Sequence, residues 1–284
     1  MITIRGTVLS LHPLFVMIML ASVITGGFLE LLTLFIIVFI HELGHAAAAA
    51  AMGFKVRSIQ LLPFGGVAVI EEQGRMNAYK EIVIALAGPL QNVIMIGMAK
   101  LLLYIGWGDA SFLEYLIQAN LMIALFNLLP ILPLDGGKLL QALISLFAPY
   151  HATLIWTSRA GCFCSLVMLA IGVQPLFTGE TLQLNIMMIG LFLAYSNFED
   201  CRNVPYRFVR FLVQRSSYAG EQSGEAQAIV ADASKPLDEI VRLFRREKVH
   251  LIYVMNRGGG VMAVLPEQQV ISSYFAVKEP PVRD

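Results

Sequence analysis

The chain has 284 residues, 57% of them hydrophobic and only 14% charged, and its mean hydropathy is +0.70; an ordinary soluble domain carries roughly 25% charged residues. Its 20 Lys and Arg balance its 20 Asp and Glu, so no basic excess points to nucleic acid and that class is excluded. The charges crowd into the final third, which reads as a polytopic membrane region followed by a small soluble domain.

Apolar stretches long enough to span a bilayer, about 20 residues each, lie at 9–28, 31–52, 79–103, 112–130, 155–174 and 182–199. The first follows Arg5 but has no clean A-x-A site after it, so it reads as a span and not as a secretory signal. The turns near 26–30, 104–111 and 175–181 contain no Lys or Arg, whereas Lys55, Arg57, Arg75, Lys80, Lys138 and the tail mark the opposite side. The positive-inside rule then puts both termini in the cytoplasm. Lys100, near an outer end, is expected to snorkel to the interface.

The second span contains FIIVFIHELGHAAAAAAMG, Phe35 to Gly53. Residues i and i+4 share one helical face, so His41 and His45 offer two imidazoles to one ion with Glu42 beside them. This is the HExxH pattern of two zinc ligands and a general base. Ionisable groups inside a span cost about 2.5–3.5 kcal/mol or more, so a purely structural cluster is the weaker reading. The six alanines that follow are expected to let the broken fourth span come close.

The next connection, VRSIQLLPFGGVAVIEE (Val56 to Glu72), alternates around Pro63 and the Gly65–Gly66 pair and reads as a membrane-associated β-hairpin. Its open edge could accept an extended peptide by strand addition; a plain interfacial tie between spans is the alternative. In the third span, AGPLQN (87–92) suggests close packing or a kink at Gly88 and Pro89, with Gln91 and Asn92 hydrogen-bonding to neighbouring helices.

A zincin needs a third protein ligand and an open position. His12, His151 and His250 sit at the start of the first span, in a loop and in the tail, and are poor candidates. In NLLPILPLDGGK, Asn127 to Lys138, Asp135 follows Pro130 and Pro133, which break the fourth span. Spans two and four both run inward, so Asp135 and the two histidines fall at one depth in the cytoplasmic half of the bilayer. Broken backbone at that depth is tolerated where it lines a cavity or is buried in protein. Cys162, Cys164 and Cys201 give no disulfide framework and read as small packing residues.

After the last span, residues 201–220 alternate basic residues with Tyr206, Phe208, Phe211 and Leu212, the pattern of an amphipathic linker on the membrane surface. Residues 221–284 read as helix, strand, turn, strand, helix and resemble a single CBS module, a fold that often senses adenine nucleotides. The module's usual Gly and Thr-x-x-Asp fall at Ala263, Pro266 and Gln269 here, so ATP binding and a docking role stay open as alternatives. A lone module leaves bare the face that such modules bury against a second copy, which implies a homo-oligomer.

HELGH in one span and NLLPILPLDGG in a later one, with LLPFGG (61–66) and AGPLQN, resemble the site-2 protease family of intramembrane zinc metalloproteases. The element order is closest to the family's sporulation enzymes. The resemblance implies an all-α polytopic membrane protease domain (1–200) of about six spans with its hairpin, the linker 201–220 and a small α/β CBS-like cytoplasmic domain (221–284). It further implies one zinc on His41, His45 and Asp135, catalysis by Glu42, and site-shaping by Asn127, Pro133, Phe64, Gly65 and Gly66. The implied activity is regulated intramembrane proteolysis of a membrane-associated proprotein, here removal of the pro-sequence of pro-sigma-K in the membrane around the forespore, under small inhibitory membrane proteins. A CBS-gated transporter would spread ionisable groups through several depths, and an idle scaffold would have lost Glu42 or a ligand. Neither pattern is present in the sequence.

Overall fold

The computed structural model describes residues 2–4, 7–11, 17, 19, 22–24, 26–62, 65–71, 77–178, 183–217, 225–256 and 260–278. Much of the first expected span, Phe64 and the middle of the triple-glycine turn fall outside them. The chain divides into two compact units, residues 1–130 with 134–139, and residues 131–133 with 140–284.

The first unit opens with strands β1 (Ile2–Ile4) and β2 (Thr7–Leu11), followed by helix α1 (Phe28–Ala51), β3 (Lys55–Leu62) and β4 (Gly65–Glu71). The expected hairpin is present as the antiparallel pair β3–β4, with Leu62 opposite Gly65 and Ile59 opposite Ala68. It belongs to a larger sheet, ordered β1-β2-β3-β4, in which β2 runs parallel to β3. The stretch expected to begin the first span at residue 9 therefore begins as strand. Val8–Leu11 pair with Ser58–Leu61, a partnership some 50 residues away that local hydropathy does not register.

Helix α1 ends in a Schellman arrangement. Gly53 sits at φ +84°, its N–H reaches the Ala50 carbonyl, and the Phe54 N–H reaches the Ala49 carbonyl. Phe54 packs back on Ala49 and Ile84, so the chain turns directly into β3. This corrects the expected role of the alanine run, because Ala49 packs against Phe54 and the third span. Helices α2 (Ala78–Tyr104) and α3 (Ala110–Asn127) follow, each capped by a side-chain oxygen that accepts a backbone N–H. Asn77 caps at Lys80 and Asp109 at Phe112, as free helix N-termini require.

The second unit holds most of α4 (Asp135–Phe147), α5 (Tyr150–Val173), the short α6 (Pro175–Thr178) and α7 (Leu184–Ser217). It ends in a β-α-β-β-α module: β5 (Ala226–Asp232), α8 (Leu237–Val241), β6 (Val249–Met255), β7 (Val261–Pro266) and α9 (Glu267–Lys278). Strand β5 is parallel to β6, and β6 antiparallel to β7. The last expected span and the amphipathic segment after it form one helix, α7. Its Val204, Phe208 and Leu212 share a core with Leu154, Ile229, Phe244, Ile252 and Ile271, so the module covers the apolar face that was expected on the membrane surface.

A buried ion pair ties α7 to the module: Arg215 donates through Nε to Glu267 Oε1 at 2.7 Å and through Nη2 to Oε2 at 2.9 Å. Burial pushes the Glu267 carboxyl up, but hydrogen bonds from His250 and Arg215 override that and bring it to about 2. Among the described residues, three helices are long and apolar enough to cross a membrane, Phe28–Ala51, Ala78–Tyr104 and Tyr150–Phe177. Helix α3 and the apolar part of α7 account for two more of the expected stretches without reaching that standard.

Candidate metal centre

His41 and His45 lie one turn apart on α1, both buried, with their rings edge to face at 4.8 Å between centroids. Their Nε2 atoms are 3.2 Å apart. Asp135, the first residue of α4, brings Oδ2 to 3.0 Å from His41 Nε2 and 2.9 Å from His45 Nε2. The expected ligand trio is thus brought together inside the first unit, each residue offering an atom within 4.8 Å of the others.

The proton on each ring follows from its other nitrogen. His45 Nδ1 lies 2.7 Å from the Ile84 carbonyl, which can only accept, so Nδ1 carries the hydrogen. At His41 the assignment runs through two carboxamides. The Leu116 carbonyl accepts from Asn120 Nδ2, Asn120 Oδ1 accepts from Asn92 Nδ2, and Asn92 Oδ1 then accepts from His41 Nδ1 at 2.6 Å. Anchored at a carbonyl, this chain sets the tautomer of each ring in its neutral form, with the Nε2 lone pairs aimed at one point.

With both imidazoles neutral, two nitrogen lone pairs and a carboxylate oxygen at 2.9–3.2 Å repel one another unless a cation lies among them. Tetrahedral zinc with bonds of about 2.0–2.2 Å would set such donors roughly 3.3–3.5 Å apart, a few tenths of an ångström wider than this triangle. The donor set, N, N and O, also suits zinc. The other carboxylate oxygen, Asp135 Oδ1, accepts from Lys138 Nζ at 3.1 Å, which favours binding through Oδ2 alone.

Glu42 is buried beside the trio, 8% exposed, and forms no hydrogen bond among the described residues. Its carboxylate is therefore free to act. Asn127 and Pro133 are placed otherwise than the candidate trio. Asn127 donates to the Ile123 carbonyl of its own helix, and Pro133 is exposed two residues before Asp135. Gly65 and Gly66 lie in β4, paired with Leu62 and Leu61.

Glycines form the remaining wall. A Cβ on Gly88 would fall 2.2 Å from His45 Nε2 and 2.6 Å from His41 Nε2, and one on Gly44 would strike the Ala87 carbonyl at 2.7 Å. Asp135 is held from below, since a Cβ on Gly136 would meet the Leu128 carbonyl at 2.2 Å. The AGPLQN segment thus contributes to the candidate centre, through Gly88 against the two Nε2 atoms and Asn92 behind His41. Asn92, Asn120 and Lys138 had no assigned place in the site from sequence. The available signal was a carboxamide buried in an apolar helix, which needs a partner. What lay hidden was the identity of that partner.

Comparison with known proteins gives three concordant results. The family model for peptidase family M50 matches residues 29–108 and 95–168. The chain is 35% identical over 270 residues to stage IV sporulation protein FB of Bacillus subtilis (strain 168), covering 94% of this chain and 91% of that one. It is 32% identical over 175 residues to a zinc metalloprotease of Methanocaldococcus jannaschii, 60% of this chain and 49% of the relative. A solved site-2 protease from the latter organism matches with a TM-score of 0.55 at 27% identity, over 71% of this chain and 94% of that one.

Proposed function

Because this chain belongs to peptidase family M50, the site-2 proteases, and is a zinc metalloprotease of the membrane, we propose that His41, His45 and Asp135 hold its zinc and that Glu42 is the catalytic base. The convergence of the two Nε2 atoms and Asp135 Oδ2 on one point carries this reading. Zinc bound there would lower the pKa of water toward about 7 and polarise the scissile carbonyl. Glu42 accepts the proton of the attacking water and returns it to the leaving amide nitrogen. Asn92 and the Ile84 carbonyl keep the two imidazoles in the ligating tautomer, and Lys138 keeps Asp135 Oδ1 occupied.

The substrate on this reading is a membrane-associated proprotein cut near the cytoplasmic face. Similarity over nearly the whole length to a stage IV sporulation protein supports pro-sigma-K. Mixed with pro-sigma-K in detergent, the purified protein is expected to release a shortened product. 1,10-Phenanthroline should abolish the cleavage and added zinc restore it. Cleavage that survives full chelation would remove zinc from the mechanism.

A peptide bond inside a helix is shielded by its own turns, so the substrate must be extended where it is cut. Among the described residues strand β4 is an edge of its sheet, which supports docking of that segment by strand addition. In a strand, neighbouring N–H groups point to opposite sides, so of Ala68 and Val69 one directs its N–H to the open edge. Proline there removes one hydrogen bond, worth about 0.5–1.5 kcal/mol, and is expected to slow cleavage about fivefold while β3–β4 pairing survives. If neither proline variant alters the rate, β4 does not receive the substrate.

A further inference from the structure

We infer that Asn197, far along the chain on α7, is a positioning residue for the metal centre. It holds the loop that delivers Asp135. The inference rests on the zinc assignment above.

The loop between α3 and α4 reads LLPILPL, residues 128–134. Pro130 and Pro133 have no N–H, so it cannot brace itself with a regular backbone ladder. Ile131 and Leu132 are nonetheless buried, and a buried carbonyl needs a donor. Asn197 supplies one to Leu132. Its Nδ2 donates to the Leu132 carbonyl at 2.5 Å and to the Leu193 carbonyl of its own helix at 2.8 Å. Only Pro133 and Leu134 separate Leu132 from Asp135, and the far side of the loop is set by Gly136 against Leu128. Asn197 therefore holds the backbone three residues before Asp135.

Two further observations distinguish this contact from ordinary helix packing. Asn197 is completely buried, yet its Oδ1 has no hydrogen-bond partner among the described residues, a costly state that a leucine of similar size would avoid. Its donor is the part of the group that is used. The slot for the carboxamide exists because residue 161 on α5 is glycine, where a Cβ would lie 1.9 Å from Asn197 Oδ1 and 2.7 Å from Cγ. Two carbonyls facing one nitrogen also exclude a carboxylate, so aspartate, nearly the same shape, cannot substitute.

The test is metal affinity on the full-length protein in detergent, by competition with a chromophoric zinc chelator. The absorption of the cobalt(II)-substituted protein serves as a reading of ligand geometry. Asn197→Leu, Asn197→Asp and Gly161→Ala are each expected to weaken zinc binding by about tenfold or more and to alter the cobalt spectrum. Ser165→Ala removes a buried hydroxyl that bonds the Gly161 carbonyl on the same helix without touching the loop, and is expected to change neither. Should Asn197→Leu not fold, Asn197→Asp and Gly161→Ala provide the same reading. Wild-type affinity and an unchanged cobalt spectrum in the folded variants would overturn the inference. A wild-type protein that binds no zinc, or binds it equally well as His41→Ala, would instead overturn the metal assignment on which it rests.

Discussion

Replacing Glu42 with glutamine is expected to leave the metal in place and stop proteolysis. Glu42 contributes no atom to the ligand triangle, which is closed by His41, His45 and Asp135, and it is not hydrogen-bonded to either histidine. Zinc content should therefore stay near that of the wild type. Glutamine keeps the size and polarity of the side chain but cannot take a proton from water. Positioned proton transfer contributes about 10²–10⁴-fold to rate, so cleavage should fall by that factor. Co-expression with pro-sigma-K, read as product on a gel beside metal analysis of the purified variant, tests both halves. Normal turnover would falsify Glu42 as the base. Loss of zinc along with activity would show that Glu42 acts in holding the site together.

The second large effect comes from one methyl group. Gly88→Ala places a Cβ 2.2 Å from His45 Nε2 and 2.6 Å from His41 Nε2, in the space that an ion bound to both would need. The rings cannot retreat freely, because each is held from behind, His41 by Asn92 and His45 by the Ile84 carbonyl. Relief requires breaking one of those bonds or moving α2 away from α1. Zinc affinity is expected to fall by about a hundredfold or more, beyond the 10–100-fold typical of outer-shell changes, and activity with it. Gly97→Ala, on the same helix with open space around it, is the control and should gain helix propensity of about 1 kcal/mol. Full zinc occupancy in Gly88→Ala would mean that α2 does not wall the site as described.

These two variants separate what is legible in a chain from what is not. Glu42 can be read locally, because HExxH states its spacing on one helical turn and the surrounding apolar run makes the charge conspicuous. Asp135 is legible at longer range, since two prolines and a diglycine break an apolar segment around a lone carboxylate. Gly88 is not legible in that way. Nothing in AGPLQN says that the missing side chain faces two imidazoles 43 and 47 residues earlier in the chain. The same holds for β2, whose parallel partner lies far along the sequence, and for the apolar face of α7, which pairs with the terminal module.

The sequence by itself pointed to the candidate ligands, the carboxylate beside them, the membrane setting and the hairpin, because each rests on residue type and short-range periodicity. Tertiary structure alone decided which carboxamides back the histidine rings, which glycines make room at their Nε2 atoms, and which side chain holds the Asp135 loop. Those are contacts between segments distant in sequence. Their effect depends on separations of a few tenths of an ångström that packing sets and composition does not record.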